Sequence, residues 1–221
     1  QAFEDTEFDK FDRGNAPNVF FAGMLQYDGD LLVPKQYLVD PPVIDRTMGE
    51  YLADSEVRSF AVSETQKFGH VTYFWNGNKS GYINDQLETY IEIPSDNVAF
   101  DEAPAMKAQE ITDATIALLR SGEYRYGRIN FANGDMVGHT GNLDAAISAM
   151  ETVDKCVQQL IDVIQELDGI LIYTSDHGNA DQMFTETSTG ERIAMTSHTL
   201  APVPFVIFDP KNSTDYDLVA P

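Results

Sequence analysis

The sequence has little cysteine and little positive charge. Cys156 is the single cysteine among 221 residues, so the chain cannot form an internal disulfide. Only 14 Lys and Arg accompany 36 Asp and Glu, which gives a formal net charge of −22. Because so few basic residues are available to neutralise phosphate groups, nucleic acid and anionic membranes are excluded as expected partners.

Long apolar runs are also missing. No stretch of about 18 consecutive apolar residues is present, so no membrane-spanning helix is predicted. No charged segment is followed by an apolar leader, and a lone cysteine suits a reducing compartment, so we expect a cytoplasmic protein. The first residue is Gln rather than Met, and we expect the chain to begin partway through a longer protein.

The composition that is present is typical of a globular protein. Apolar residues make up 43% of the chain and aromatic residues 11%, and 221 residues suffice to bury the core of one ordinary domain. Cys156 lies within a helical pattern of apolar residues. Its position favours a small buried hydrophobic side chain over a catalytic thiol.

The second half of the chain has the clearest pattern. We predict a strand at 128–132, an amphipathic helix at 142–167, and two almost wholly apolar strands at 170–173 and 202–208. Strand, helix and strand in this spacing predict a βαβ unit, hence a parallel sheet with a right-handed crossover. Wholly apolar strands are expected where both faces of a sheet are covered.

The first half is α/β as well, with weaker signals and no internal repeat. Its predicted elements are strands at 19–24, 59–62 and 71–75 and helices at 44–52 and 105–120.

Three of the four histidines lie in short blocks rich in Gly, Ser and Thr. The candidate metal ligands in these blocks are Asp135, His139, Asp176, His177 and His198. Carboxylate oxygen and neutral imidazole nitrogen together suit Mn²⁺, Zn²⁺ or Fe²⁺ better than Ca²⁺ or Mg²⁺. Each histidine alone is better explained by a structural role, but three such blocks beside predicted strands indicate a shared metal site.

The block at 133–141 is expected to be a loop. Asp135 and His139 are four residues apart, the spacing of two ligands on one helical face. Three glycines in the same block nevertheless argue against a helix. A loop at the carboxyl end of a parallel strand lies where open α/β sheets place their active sites.

Asp176 and His177 are adjacent in the sequence, which limits how both could face one site. Adjacent residues of an extended strand point to opposite faces, so both can serve one site only if the strand ends before them. Gly178 supplies the necessary turn, and His198 precedes the last strand at the same rim.

Other catalytic arrangements have weaker support. The sequence has no G-x-S-x-G nucleophile elbow and no glycine-rich phosphate loop followed by Lys. Ser197 and His198 are neighbours in sequence, but adjacency does not create a catalytic triad. His70 has no adjacent carboxylate, which favours a structural role.

These blocks resemble the signature segments of a known enzyme family. The segments at 133–141, 174–180, 197–205 and 63–74 are similar to those of the cofactor-independent, metal-dependent phosphoglycerate mutases, which belong to the alkaline phosphatase superfamily. The resemblance covers about 20–208. It implies an α/β fold, a three-layer αβα sandwich with a mainly parallel sheet, alkaline-phosphatase-like and incomplete at its N-terminal side.

The resemblance also implies a pair of metal ions. Asp135, His139 and His198 would hold one Mn²⁺, and Asp176 and His177 would hold a second, with Zn²⁺, Co²⁺ or Mg²⁺ as alternatives. Two neighbouring cations can stabilise both the attacking and the leaving oxygen of a phosphoryl transfer.

By the same resemblance, Lys67 would contact the phosphate of a small phosphoglycerate substrate. In this family a serine takes the phosphoryl group from 3-phosphoglycerate and returns it to give 2-phosphoglycerate, a glycolytic isomerisation that needs no bisphosphoglycerate. A monomer is expected for the intact enzyme.

The chain departs from the family in one respect. The serine nucleophile, an Asp of the second metal site and an inserted transferase domain precede the matching segments in the family, and this chain has none of them. We therefore expect 1–221 to be the carboxy-terminal part of the phosphatase-type domain, with no catalytic nucleophile of its own and no mutase turnover. The loss of an amino-terminal strand should expose a sheet edge or an apolar patch.

Two alternatives stay open. The first is another phosphomutase or phosphatase of the same superfamily, whose sheet and metal blocks would be similar. The second is a non-catalytic, acidic metal-binding or interaction module.

Overall fold

The computed structural model describes residues 2–15, 18–26, 33–40, 42, 44–212 and 217–219. Strands and helices alternate along most of this part of the chain. The elements are β1 (Gly23–Leu25), β2 (Tyr37–Val39), α1 (Met48–Asp54), β3 (Ser59–Glu64), α2 (Phe68–Val71), β4 (Glu88–Ile93), α3 (Ala108–Ser121), β5 (Tyr126–Asn130), α4 (Asn133–Gly138), α5 (Leu143–Glu166), β6 (Leu171–Thr174), β7 (Phe184–Glu186), β8 (Arg192–Ala194) and β9 (Phe205–Phe208).

A parallel three-stranded sheet in the order β4-β3-β5 forms the centre of the fold. Every residue of the middle strand β3 is buried. Phe60 and Val62 of β3 pack against Ile111 of α3, and all three are at most 1% exposed. The predicted α/β fold with a parallel sheet is confirmed, because β3 is covered as expected for a central parallel strand.

The long helix α5 carries a second cluster of buried side chains and packs against α3 and α4. The side chain of Asn142 caps its first turn by accepting a hydrogen bond from the backbone N–H of Ala145 at 3.2 Å. Leu160 is 3% exposed and Cys156 is 1% exposed. The predicted helix at 142–167 and the buried position of Cys156 are both confirmed.

The strands after α5 differ from the prediction. In the part of the chain that the structure describes, β6 pairs with β9 in antiparallel orientation, while β5 pairs with β3. The strands that flank α5 therefore do not pair with each other in the described residues, and the predicted parallel sheet is formed by β3, β4 and β5. Ile172 of β6 and Phe205 and Val206 of β9 are 50–59% exposed, so the expected burial of both faces is wrong.

The first half contains further corrections. The predicted strand at 71–75 is wrong, because the chain forms α2 and then turns, with the hydroxyl of Thr72 donating to the carbonyl of Phe68 at 2.8 Å. The helix predicted at 44–52 begins only after Thr47, which forms a capping box with Glu50. The strand predicted at 19–24 is reduced to β1, and β4 was not predicted.

None of the helices in the described ranges is long and apolar enough to cross a membrane.

Candidate metal centre

The block that contains Asp135 begins as a short helix, α4, rather than as the predicted loop. The backbone N–H of His139 donates to the carbonyl of Asp135 at 3.0 Å. This turn brings the His139 Nε2 atom to 3.0 Å from the Asp135 Oδ1 atom. The glycines were a misleading signal, because Gly138 leaves room for a neighbouring side chain: a Cβ atom there would lie 2.5 Å from Asn179 Oδ1.

His198 reaches the same carboxylate oxygen from a distant part of the chain. Its Nε2 atom lies 3.1 Å from Asp135 Oδ1. The Nδ1 atom of His139 lies 2.6 Å from the carbonyl oxygen of Thr196, which can only accept. Nδ1 therefore donates this hydrogen bond, and Nε2 is the ring nitrogen that faces Asp135.

Asp176 and His177 follow β6, which ends at Thr174. The strand therefore ends before both residues, as the sequence analysis required if both are to face one site. His177 Nε2 lies 3.6 Å from Asp176 Oδ1 and 3.9 Å from Asp135 Oδ1. The rings of His177 and His198 are stacked, with their centroids 3.5 Å apart. The three histidines therefore approach the Asp135 carboxylate, and Asp176 lies beside His177.

Lys67 approaches Asp135 from the other side. Its ammonium group forms an ion pair with Asp135 Oδ2, and its side chain is only 7% exposed. The residue lies three positions after the end of β3, and its backbone N–H donates to the carbonyl of Glu64, the last residue of that strand, at 3.0 Å. The central sheet thus positions Lys67 at the carboxyl end of its middle strand.

The surroundings of Asp135 keep its carboxylate ionised. Burial by itself raises the pKa, but the hydrogen bonds from Lys67 and Asn179, together with the charge of Lys67, outweigh burial. The net effect lowers the pKa of Asp135 from 3.8 to about 2. An ionised carboxylate is the form that binds a cation.

Asn179 is a residue of the site that the sequence analysis missed. Its side chain lies between two blocks and donates from Nδ2 to the Asp135 backbone carbonyl at 3.1 Å and to Asp135 Oδ1 at 2.8 Å. The contact spans 44 positions, so no local pattern could reveal it. The only available signal was its place two residues after His177.

His70 lies on α2, close to Lys67. Its ring is 5.2 Å from that of Phe74 in an edge-to-face arrangement. Burial, followed by the charge of Lys67, lowers the pKa of His70, and the charges of Asp176 and Asp135 oppose this shift. The histidine is therefore an electrostatic neighbour of the site, and its structural role stays a prediction.

Three of the converging side chains could hold one cation. The ligand atoms of Asp135, His139 and His198 all lie within 4.8 Å of one another. The side chain of Asp135 is 12% exposed, while those of His139 and His198 are 36% and 50% exposed. One carboxylate and two imidazoles with an open side fit a divalent transition metal that keeps a position for another ligand.

Comparison with protein families gives one match over almost the whole chain. The model of the Metalloenzyme superfamily matches residues 15–219. The match includes every candidate ligand and Lys67.

Two curated relatives are similar over nearly the full chain. A probable 2,3-bisphosphoglycerate-independent phosphoglycerate mutase of Leptospira interrogans (serovar Lai, strain 56601) is 52% identical over 98% of this chain and 41% of its own length. A 2,3-bisphosphoglycerate-independent phosphoglycerate mutase of Trypanosoma brucei brucei is 49% identical over 99% of this chain and 42% of its own length. The chain thus spans about two fifths of these relatives.

A solved structure agrees with this likeness. The crystal structure of Leishmania mexicana phosphoglycerate mutase at low cobalt concentration matches with a TM-score of 0.87 and 50% sequence identity. The match covers 95% of this chain and 40% of that one.

Proposed function

The chain belongs to the Metalloenzyme superfamily, and from this premise we propose that it supplies the metal- and phosphate-binding part of a 2,3-bisphosphoglycerate-independent phosphoglycerate mutase. The observation that carries the proposal is the convergence of Asp135 and His139 of α4 with His198 of a distant segment, whose ligand atoms all lie within 4.8 Å of one another. The similarity to mutases from a bacterium and a trypanosome supports the choice of reaction.

In this proposal Asp135, His139 and His198 hold one divalent cation, and Asp176 and His177 contribute to a second. The short distances around Asp135 Oδ1 support the first set. The assignment of the other pair to a separate ion rests on the family resemblance. Mn²⁺ is our first choice, with Co²⁺, Zn²⁺ and Mg²⁺ as alternatives, and Co²⁺ gains support from the cobalt named for the Leishmania enzyme.

Such cations supply electrostatic stabilisation of the oxygens around a transferring phosphoryl group. The residues of this chain prepare the site for that task. Asp135 stays ionised because its pKa is lowered to about 2. The hydrogen bond to the Thr196 carbonyl fixes the ring of His139, so that its Nε2 atom faces the site.

Lys67 is proposed to bind the substrate phosphate. Its buried ammonium group is next to the metal ligands in a chain of net charge −22, which otherwise repels an anion. Lys67 can leave Asp135 for the phosphate when a cation takes over the neutralisation of the carboxylate. A compact charge on a flexible stem suits this exchange of partners.

The complete reaction needs a serine nucleophile and a further Asp, which the proposal assigns to other parts of the mutase. The 221-residue chain alone is then expected to have no mutase turnover. Catalysis without bisphosphoglycerate, a cytoplasmic location and a monomeric intact enzyme are parts of the same proposal.

The metal site can be tested directly on the chain. Isothermal titration with Co²⁺ and Mn²⁺ should show binding that Asp135→Ala or His198→Ala weakens by at least about 100-fold, because each removes a ligand. Asp154→Ala, which removes an exposed carboxylate of α5, is the control and should leave binding unchanged. Equal affinity in the Asp135→Ala chain and the unaltered chain would refute the proposed centre.

The substrate class needs a second measurement. The Co²⁺-loaded chain should bind 3-phosphoglycerate more tightly than glycerate, and Lys67→Met should remove the difference. Lys79→Met is the matched control, because Lys79 forms an exposed ion pair with Glu50 far along the sequence from the ligands. Equal binding of 3-phosphoglycerate and glycerate would contradict phosphate recognition, and turnover by the chain alone would contradict the assignment of the nucleophile to another part.

A further inference from the structure

The site contains a buried amide that none of the proposed roles uses. We propose that Asn179 is a positioning residue that orients the carboxylate of Asp135 for metal binding, an inference that rests on the proposed metal centre. The side chain of Asn179 is well buried, since the residue is 4% exposed. Its action would pass through Asp135, because both hydrogen bonds of its amide nitrogen go to that residue.

The first argument comes from the contacts of the amide. Asn179 Nδ2 donates to Asp135 Oδ1 at 2.8 Å and to the backbone carbonyl of Asp135 at 3.1 Å. Both hydrogen bonds of the amide nitrogen therefore go to one residue. The bond to Oδ1 fixes the rotation of the carboxylate and occupies one of the two lone-pair directions of that oxygen.

The second argument is that Asn179 connects the ligand-bearing segments. Its backbone N–H donates to Asp181 Oδ1 at 2.7 Å, and the hydroxyl of Thr199 donates to Asp181 Oδ2 at 3.4 Å. The backbone N–H of Thr199 also donates to the carbonyl of Gly178 at 2.8 Å. The segment after β6 is thereby tied to the residue that follows His198, and the amide of Asn179 extends this network to α4.

The third argument concerns the space that the amide needs. A Cβ atom on Gly138 would lie 2.5 Å from Asn179 Oδ1 and 2.9 Å from Asn179 Cγ. Gly138 lies in helix α4, where an alanine would form a better helix than a glycine. The glycine is therefore explained by the close approach of Asn179.

Two variants of Asn179 and a matched control variant test the proposal. Asn179→Ala and the bulkier Asn179→Leu remove the donor, and Asn133→Ala removes a comparable buried amide. Asn133 is 0% exposed and donates to the carbonyls of Pro104 and Ala105, each at 2.9 Å, without contacting the Asp135 carboxylate. All three variants should have a lower melting temperature, so stability does not distinguish the roles.

Affinity for Co²⁺ does distinguish them. Both substitutions of Asn179 should weaken Co²⁺ binding by about 10- to 100-fold, the usual effect of losing a partner that orients a metal ligand. They should also change the visible absorption spectrum of bound Co²⁺, which reports ligand geometry. Asn133→Ala should keep the affinity and the spectrum of the unaltered chain. Gly138→Ala should change the Co²⁺ affinity and the absorption spectrum in the same direction as Asn179→Ala, because it displaces the same amide.

The outcomes separate this inference from the metal centre. If the unaltered chain binds Co²⁺ and the Asn179 variants bind it equally well, the positioning role is overturned and the metal centre stands. An equal loss of affinity in the Asn133 and Asn179 variants also overturns the positioning role, because it would show a general effect of destabilisation. If the unaltered chain binds no Co²⁺, the metal centre and the positioning role fail together.

Discussion

At the scale of single residues, Asp135 Oδ1 is the point where the candidate site is assembled. His139, His198 and Asn179 each place a nitrogen within 2.8–3.1 Å of this oxygen. Lys67 neutralises the second oxygen of the same carboxylate. A cation at the site would therefore enter a position whose negative charge is already partly compensated by a lysine.

Substitution of Lys67 is expected to change metal and phosphate binding in opposite directions. Lys67→Met removes a positive charge next to the proposed cation, so we expect Co²⁺ affinity to rise by about tenfold. Affinity of the metal-loaded chain for 3-phosphoglycerate should fall. Titration calorimetry of both ligands checks the prediction, with Lys79→Met as the control. A loss of Co²⁺ affinity in the Lys67 variant would show that Lys67 supports the site in another way.

Glu64 should make stability depend on pH. It is 1% exposed at the end of β3, where the hydroxyl of Ser95 donates to it at 2.8 Å. Burial raises its pKa above the ordinary value of 4.5, against the opposing effects of Ser95 and Lys107. The folded state therefore holds this proton more tightly than the unfolded state, and the stabilisation is complete below pH 4.5 and is lost as the pH rises through the raised pKa.

The measurement compares the unaltered chain with Glu64→Gln, which does not titrate at this position. Urea unfolding from about pH 4 to about pH 8 should show that the free energy of unfolding of the unaltered chain falls relative to the variant as the pH increases. A difference that is constant over this range, or that changes in the opposite direction, would contradict the raised pKa.

At the scale of elements, the sequence predicted long periodic segments well and short glycine-containing ones poorly. Helix α5 was predicted within a residue or so at each end, because its apolar positions repeat over six turns or more and Asn142 caps its start. Helix α4 was predicted as a loop, because local propensity penalises glycine. Gly138 instead leaves room for the side chain of Asn179, a tertiary contact that no local pattern contains.

The candidate ligands were found in the sequence for a different reason. Asp135, His139, Asp176, His177 and His198 lie in distinctive blocks beside predicted strand ends. The structure places all three histidines within 3.9 Å of Asp135 and places Asp176 3.6 Å from His177, while their role as metal ligands stays a prediction. The partner of Asp135, by contrast, is an asparagine with no distinctive chemistry. The prediction of a strand at 71–75 was wrong because a short apolar run can form either a strand or a buried turn of helix.

Substitutions on the two faces of α5 should lower the free energy of unfolding by very different amounts. Leu160→Ala removes a side chain that is 3% exposed, and we expect the free energy of unfolding to fall by about 2–5 kcal/mol, since the substitution leaves a cavity. Ile147→Ala, on the same helix but 50% exposed, should cost less than about 1 kcal/mol. Chemical denaturation of both variants checks the contrast, and similar losses would mean that the exposed face of α5 is packed in solution.

At the scale of the whole molecule, the exposed apolar side chains of β6 and β9 stand out against the acidic composition. Ile172, Phe205 and Val206 are each at least half exposed. In the described residues β6 and β9 pair only with each other, so each also has an unpaired strand edge. Apolar side chains next to a free strand edge promote association between copies of a chain.

We expect the chain to self-associate with rising concentration, and more strongly at high salt, which screens the repulsion between molecules of net charge −22. Ile172→Lys should reduce the association measured by analytical ultracentrifugation. Ser148→Lys, an exposed position of α5, adds the same charge away from the strands and is the control. An equal effect of the two substitutions would assign the association to net charge rather than to β6.

The long sequence separation of the ligands has a consequence for how the protein is handled. Asp135 and His198 lie 63 positions apart, and the segment between them includes α5 and β6. A cation bound as proposed would act as a reversible cross-link that closes this segment only in the folded state. The melting temperature would then rise with the free concentration of the ion and fall on addition of a chelator. Traces of transition metal in a buffer would thus change the measured melting temperature from one preparation to the next.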